Sequence, residues 1–131
     1  MEPRLIWGNL ISGDLDRTTK FYTDLGFKAN GSPTEELTSI AFGQNNFIIN
    51  FFVEKRLSED SNGNLTSSAN GKEIILSLSA DSKEEVDLWV DKVKAAGATI
   101  FSQPALVGKG YSFGFADPDG HKFNFLYWPG M

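Results

Sequence analysis

The sequence lacks most of the side chains that proteins use to bind transition metals or to attack a substrate. Its 131 residues include no cysteine and a single histidine, His121. Without cysteine, the chain forms no thiolate metal site, no disulfide and no thiol nucleophile. One imidazole also excludes a site built from several histidines within one chain. Any chemistry must therefore use carboxylates, amides, hydroxyls, aromatic rings or the backbone.

Positive charge is also scarce, and long apolar runs are missing. Lysine and arginine total 12 against 17 aspartates and glutamates, which gives a net charge of -5. Nucleic acids and anionic membranes need concentrated positive charge, so neither is an expected partner. A neutral or cationic small molecule suits such a chain better than an anion. No run approaches the ~20 apolar residues of a membrane helix, and the first residues do not resemble a signal peptide. We therefore expect a soluble, cytoplasmic protein.

The sequence does contain an internal repeat, in which one module occurs twice. Each copy reads as strand, helix and three strands, with the first strands predicted at residues 4–11 and 73–80. The length predicts a single domain. We place module one at about residues 1–54, a linker at about 55–72 and module two at about 73–131. The linker is rich in Ser, Asn, Gly and charge, which is typical either of a solvent loop or of a mobile lid.

Local signals mark both helices. Asp14 is a predicted N-cap, and Gly26 is the predicted stop of the first helix. Ser82 and Glu85 have the spacing of a capping box, and Gly97 stands where a glycine ends a helix. We interpret the aromatic residues of the first helix as core. The segment at residues 117–120 is interpreted as a turn rather than as a catalytic carboxylate pair, and the Gly-Lys-Gly at 108–110 as a hairpin turn rather than as a phosphate-binding loop.

Alternation along the strands predicts two different faces for each sheet. Phe123, Phe125 and Tyr127 alternate with Asn124 and Trp128 in the last strand. One face is therefore apolar and suited to a helix, whereas the other mixes amides with aromatic rings. A mixed face of this kind is typical of a lined cavity.

Three segments carry a resemblance to a known family. They are Asn9-Leu-Ile-Ser-Gly-Asp14 with the helix after it, Lys94-Ala-Ala-Gly-Ala98, and Phe115-Ala-Asp-Pro-Asp-Gly-His121. In this order, on a repeated module, the pattern resembles the vicinal oxygen chelate superfamily of glyoxalase I, bleomycin-resistance proteins and extradiol dioxygenases. The resemblance implies an α+β fold of two βαβββ modules that form a curled, open mixed-sheet barrel around a cavity. It also implies a homodimer.

The resemblance further implies a divalent metal, held in the family's enzymes by residues of the first, fourth, fifth and eighth strands. The corresponding residues here are Trp7, Asn50, Ile75 and Asn124. Trp and Ile offer no donor atom, and neutral amide oxygens substitute poorly for imidazole or carboxylate. We therefore predict no bound metal and no cofactor.

The predicted cavity retains residues that suit a small amphipathic or aromatic ligand. The predicted ligand-binding residues are Trp7, Asn9, Asn50, Phe52, Ser77, Asn124 and Trp128, with Ser79 and Tyr111 as further candidates. Stacking on the rings, with orientation by the amides, would bind such a molecule. Two alternatives stay open. One is a metal-dependent lyase, isomerase or dioxygenase, similar to lactoylglutathione lyase or to the dioxygenases. The other is a vestigial cavity in a protein whose role is assembly through its surface. For the amides themselves, a structural network in which they bond only to one another also stays open.

Overall fold

The computed structural model describes residues 1–60 and 74–130. The chain divides into two compact units, Met1–Ser67 and Ser68–Met131. Each unit is described by itself below. Within the described part of the chain, no helix is both long enough and apolar enough to cross a membrane.

The first unit is one mixed sheet with its helices. Its elements are β1 (Trp7–Ile11), α1 (Leu15–Asp24), β2 (Lys28–Ala29), β3 (Leu37–Phe42), β4 (Phe47–Phe52) and α2 (Glu54–Asp60). The strand order is β1-β4-β3-β2, with β1 parallel to β4 and the other pairs antiparallel.

Helix α1 covers one face of this sheet. It begins where the Asp14 carboxylate accepts a hydrogen bond from the Arg17 amide at 3.0 Å, as the sequence predicts. Gly26 follows the helix with a φ of 95°, a conformation that glycine adopts without steric cost. The buried Tyr22 ring stacks on Phe51 of β4, with centroids 4.9 Å apart. The aromatic residues of α1 are therefore core, in agreement with the sequence interpretation.

The second unit repeats the arrangement. Its elements are β5 (Leu76–Ser79), α3 (Lys83–Ala96), β6 (Thr99–Val107), β7 (Gly110–Ala116) and β8 (Lys122–Tyr127). The strand order is β5-β8-β7-β6, with β5 parallel to β8. The predicted α+β class and the two βαβββ modules are thus confirmed.

Helix α3 covers one face of the second sheet. Ser82 Oγ accepts a hydrogen bond from the Glu85 amide at 3.0 Å, and Gly97 ends the helix with a φ of 105°. The Glu85 carboxylate accepts from the amide of Asp81 rather than from that of Ser82, one residue earlier than a standard capping box. The indole of Trp89 stacks on Phe125 of β8 at 4.2 Å.

The structure corrects the predicted linker. Its first part is not a loop, because residues 54–60 form helix α2. Leu57 is buried, and the Arg56 guanidinium lies 3.1 Å from the Glu36 carboxylate. Residues 61–72 of the predicted linker lie outside the described residues.

Two predicted strands are shorter than expected. The first strand was predicted at residues 4–11, but β1 begins at Trp7. The fifth strand was predicted at residues 73–80, but β5 spans only Leu76–Ser79. Ile75, assigned to a metal-ligand position, therefore lies just before the strand and is exposed.

The turn between β7 and β8 agrees with the structural interpretation of its aspartates. The side chain of Asp117 is buried, and its Oδ1 accepts from the amides of Asp119 at 3.0 Å and His121 at 2.8 Å. Gly120 has a φ of 90°. The carboxylate thus satisfies turn amides and is not exposed for acid–base chemistry.

Candidate functional site

Each sheet has a second face, turned away from α1 or α3, which we call its distal face. Residues directly opposite on neighbouring strands point to the same face, and faces alternate along a strand. Because Phe51 lies under α1, Asn50 belongs to the distal face of the first sheet. Asn9 is its partner on β1, and Trp7 shares this face through its partner Ile48.

The distal face of the first sheet carries a row of polar groups. Asn50 Nδ2 donates to Asn9 Oδ1 at 3.5 Å, which is at the long limit for a hydrogen bond. Ser39, the partner of Asn50 on β3, accepts a hydrogen bond from Asn30 at 3.1 Å. The indole of Trp7 lies on the same face and is 54% exposed. Three of the predicted ligand-binding residues therefore share one accessible face.

Phe52 lies on this face but differs from the prediction. The sequence suggested an open aromatic wall, whereas Phe52 is only 8% exposed. The guanidinium carbon of Arg56, on α2, lies 6.0 Å from the centre of its ring. Helix α2 was not predicted from the sequence. Because Arg56 of that helix lies near the ring, Phe52 is a packing residue and not an open wall.

The distal face of the second sheet contains an unpaired buried acceptor. Phe125 lies under Trp89 of α3, so Asn124 faces the other way, with Ser77 and Gly114 as its partners on β5 and β7. Asn124 Oδ1 is buried and has no hydrogen-bond partner among the described residues. An unsatisfied buried acceptor costs about 1–3 kcal/mol, so a hydrogen-bond network within this face does not account for the oxygen.

Phe101 of β6 packs on Gly114, the cross-strand partner of Asn124, and the sequence pattern did not identify it. A Cβ added to Gly114 would lie 2.5 Å from the Cε1 and Cζ atoms of Phe101, so the ring rests against the glycine backbone. The Lys122 ammonium is 5.5 Å from the centre of that ring. Register shifts in β6 interrupt the alternation that would have placed Phe101. A glycine inside a strand, which often marks a close approach, was the available signal.

Trp128 lies at one end of the same face. A Cβ on Gly110 would come within 2.6 Å of its Cε3 atom, and the indole is 39% exposed. A cleft of about 320 Å³ opens here, lined by Ser79, Ala80, Asp81, Tyr127, Trp128 and Gly130. The structure thus places two predicted residues, Ser79 and Trp128, at one cleft, while Ser77 and Asn124 lie further along the face.

Tyr111 corrects a further expectation. The sequence predicts it as a cavity wall, but its hydroxyl donates to the Asp87 carboxylate of α3 at 2.8 Å. Its partner across the strands is Tyr127, on the face that α3 covers. The hydrogen bond to Asp87 raises the pKa of Tyr111 above its ordinary value, with smaller contributions from desolvation and from the Asp87 charge. Tyr111 therefore links β7 to α3.

Comparison with known proteins agrees with this architecture. The sequence profile of the Glyoxalase/Bleomycin resistance protein/Dioxygenase superfamily matches residues 4–125. The chain belongs to this superfamily. A hypothetical protein from S. aureus shares 34% identity with a TM-score of 0.83, covering 97% of this chain and 95% of its own. No curated protein sequence matches significantly.

Two more distant members of the superfamily share the fold. A family enzyme from Burkholderia phytofirmans PsJN has 23% identity and a TM-score of 0.80, covering 92% of this chain and 95% of its own. A lactoylglutathione lyase from Agrobacterium tumefaciens has 20% identity and a TM-score of 0.66, covering 97% and 96%. At this identity the likeness shows the fold alone.

The residues that the resemblance assigns to the superfamily's metal-ligand positions do not fit a divalent transition metal. The first unit contributes Trp7 and Asn50, and the second contributes Ile75 and Asn124, so each unit offers one neutral amide. Indole and aliphatic side chains supply no ligand atom. Among the described residues there is also no group of three or more His, Asp or Glu side chains that could hold a metal ion.

Proposed function

We propose that this member of the glyoxalase superfamily binds a small amphipathic or aromatic molecule on its distal faces without a metal. The observation that carries the proposal is the mixed composition of these faces, on which the accessible indoles of Trp7 and Trp128 each share a face with an asparagine amide. Asn124 contributes one of these amides, and its Oδ1 is buried without a hydrogen-bond partner among the described residues. A self-contained structural network would instead leave this oxygen paired.

The rest of the two faces has the composition of a ligand site. Small-molecule sites combine apolar and aromatic walls with a few polar groups that fix orientation. The indoles of Trp7 and Trp128 are 54% and 39% exposed, and each shares a distal face with an asparagine. Solvent-exposed indoles beside amides bind flat molecules by stacking while the amides hydrogen-bond to a polar edge.

A metal-dependent lyase, isomerase or dioxygenase has weaker support. Its one argument is membership of the superfamily, and fold membership alone does not establish chemistry. The donor set described above opposes it, because two amides do not replace imidazole and carboxylate ligands. We therefore place binding ahead of metal-dependent catalysis.

Tryptophan fluorescence tests the binding proposal. The chain has three tryptophans, of which Trp89, on α3, stacks on Phe125 of β8 and serves as the internal control. Titration with a library of aromatic small molecules should give saturable changes that persist in Trp89→Phe and diminish in Trp7→Phe or Trp128→Phe. Asn124→Leu should weaken the same binder. The absence of any saturable binder would overturn the proposal.

We also propose that the protein is a homodimer. Strand β6 is the edge of its sheet, and it exposes Leu106 at 68% and Val107 at 53%. Unpaired strand edges with exposed apolar side chains favour association with another chain. Light scattering after gel filtration should give twice the 14.4 kDa chain mass.

A matched pair of variants tests the surface of the dimer. Leu106→Lys should lower the mass toward the monomer, whereas Leu88→Lys, at a 65% exposed position on α3, should not. A wild-type mass of 14.4 kDa at micromolar concentration would overturn the dimer.

A further inference from the structure

We infer that the cleft at the carboxyl ends of β5 and β8 binds an organic cation, whose ammonium group packs on the indole of Trp128 and pairs with the carboxylate of Asp81. This inference rests on the proposed binding function and narrows it to one site and one charge class. Three features of the second unit carry it: an open cleft, an indole held in place at its wall, and a carboxylate that no other described residue engages.

The cleft lies where two parallel strands end. Strands β5 and β8 run in the same direction, so their last residues, Ser79 and Tyr127, lie at the same edge of the sheet. Asp81 follows β5, while Trp128 and Gly130 follow β8, and these residues complete the wall. The volume of about 320 Å³ lies at the lower end of the range for small-molecule sites, which suits a compact amine.

Two glycines hold the indole of Trp128 in place. A Cβ on Gly110 would lie 2.6 Å from Trp128 Cε3, and a Cβ on Gly108 would lie 3.2 Å from Cη2. The backbone of the hairpin between β6 and β7 therefore packs directly on the six-membered ring. The indole is still 39% exposed, so ring surface remains for a ligand. A ring that is fixed before binding loses little side-chain entropy when a cation packs on it.

The charge at the cleft is negative. Among the described residues that line it, Asp81 is the one that carries a charge, and its carboxylate makes no hydrogen bond or ion pair with another described residue. Residues 81–85 contain three carboxylates and one ammonium, that of Lys83. Lys109, between the two glycines, is exposed and does not line the cleft. A cation therefore meets a counter-charge in the cleft, whereas an anion meets a like charge.

The amino end of α3 does not turn this cleft into an anion site. Helix amino ends attract anions because the amides of the first turn lack partners. Here the Ser82 hydroxyl accepts from the Glu85 amide at 3.0 Å, and the Glu85 carboxylate accepts from the Asp81 amide. The chain's own acceptors thus occupy this end of the helix, and Glu84 adds a further negative charge there.

The single carboxylate also favours an organic cation over a metal ion. Ca²⁺ takes about six to eight oxygen ligands, most of them carboxylates and carbonyls. The described residues include no group of three or more His, Asp or Glu side chains that could hold a metal ion. An ammonium group needs one counter-charge and the face of an aromatic ring, which Asp81 and Trp128 supply.

A matched pair of probes tests the inference. Choline carries a trimethylammonium group, and 3,3-dimethylbutan-1-ol has the same shape with carbon in place of the charged nitrogen. Titration of isotopically labelled wild-type protein, followed by the indole N–H signal of Trp128, should give about tenfold tighter binding of choline, because the cation–π contact and the ion pair act together. The indole signal of Trp89, which stacks on Phe125, should not move and is the internal control.

Variants assign the preference to the two side chains. Asp81→Asn should weaken choline about threefold and leave 3,3-dimethylbutan-1-ol unchanged. Asp91→Asn makes the same charge change at an exposed position about 15 Å further along α3 and should alter neither probe. Trp128→Leu keeps an apolar wall but should remove the cation–π part of the preference, whereas Trp128→Phe keeps a ring and should retain most of it. Binding to the Trp128 variants is followed by calorimetry, and thermal melting checks that each variant is folded.

The outcomes separate this inference from the proposal on which it rests. Equal affinities for choline and 3,3-dimethylbutan-1-ol would overturn the cation inference and leave the binding function standing. Tighter binding of the anionic isostere 3,3-dimethylbutanoate would do the same, as would a choline preference that survives both Asp81→Asn and Trp128→Leu. If none of these probes moves the Trp128 signal, the inference fails, while the titration with aromatic molecules decides the proposed function separately.

Discussion

At the scale of single residues, two glycines in strands differ in how closely neighbouring atoms approach their Cα positions. A Cβ on Gly110 would lie 2.6 Å from Trp128 Cε3 and 2.7 Å from the carbonyl oxygen of Tyr127. A Cβ on Gly8, also in a strand, would meet only Ile49 Cγ1, at 3.8 Å. Gly110→Ala should lower the free energy of unfolding by about 1–3 kcal/mol, the usual cost of overpacking.

Gly8→Ala is the control for that prediction. It should be neutral or raise the free energy of unfolding by up to ~1 kcal/mol, because alanine loses less backbone entropy than glycine on folding. Urea denaturation followed by circular dichroism measures both variants. Equal effects of the two substitutions would contradict the contact between Trp128 and the backbone of Gly110.

The hydrogen bond between Tyr111 and Asp87 predicts a pH effect with a definite sign. It raises the pKa of the Tyr111 hydroxyl, so the folded state holds this proton more tightly than the unfolded state does. The resulting stabilisation is complete below the unfolded pKa and is lost as the pH rises through the folded one. Asp87→Asn should lower the pKa of Tyr111 toward its ordinary value.

The chemical shift of the labelled Tyr111 ring, followed through an alkaline titration, measures that pKa. The comparison is between the wild-type protein and Asp87→Asn. A Tyr111 signal that titrates at the same pH in both proteins would rule out the assigned cause.

Alternation along the strands was sufficient to assign several site residues to a face, and it failed where the strand was irregular or an extra helix intervened. Asn9, Asn50 and Asn124 lie on the expected faces because β1, β4 and β8 are regular. Phe101 was missed because β6 contains register shifts. Tyr111 was offered as a cavity wall, although its strand parity places it under α3.

At the scale of elements, the ends of α3 depend on identifiable contacts. Ser82 Oγ accepts the Glu85 amide at 3.0 Å, and this satisfies one of the first-turn donors. Ser82→Ala should lower the free energy of unfolding by about 1 kcal/mol, the usual value for a lost N-cap. Chemical denaturation provides the measurement.

Ser82→Asp is the matched control, since aspartate is an equally good N-cap and adds a negative charge at the positive end of the helix dipole. It should keep the wild-type stability within experimental error. If Ser82→Ala and Ser82→Asp were equally destabilised, the serine would act through packing rather than through its hydrogen bond.

The elements themselves were predictable to different degrees. Helices α1 and α3 have both a cap and an apolar stripe, so their existence followed from the sequence. Helix α2 has seven residues and only Leu57 as a buried apolar side chain, so its periodicity is too weak to detect. Its contacts, including the ion pair between Arg56 and Glu36, come from tertiary structure. Short helices of this kind form because of their neighbours.

At the scale of the whole molecule, repetition carried more information than composition. Charge and amino-acid counts excluded several partners, but the repeated order of strand, helix and three strands led to the superfamily, which the match over residues 4–125 then confirmed. Within a superfamily the fold is retained while the chemistry changes with a few side chains. Membership of the superfamily therefore predicts the place of a ligand site, and the individual side chains determine which ligand that site binds.

The same reasoning leads to a prediction about metals. A ligand that binds only the folded protein raises its stability by RT ln(1 + [L]/Kd), about 2.7 kcal/mol when the ligand is at 100 times Kd. An enzyme that held Zn²⁺ or Ni²⁺ tightly would therefore melt several degrees higher with metal than after chelation. Because the resemblance assigns Trp7, Asn50, Ile75 and Asn124 to the ligand positions, we expect the melting temperature of tag-free protein to be the same in either condition. The control variant His121→Ala removes the one imidazole and should behave identically, so that a small shift from weak binding at His121 is recognised. A stoichiometric metal in elemental analysis, together with a rise in melting temperature that persists in His121→Ala, would contradict the prediction and favour the metal-dependent alternative.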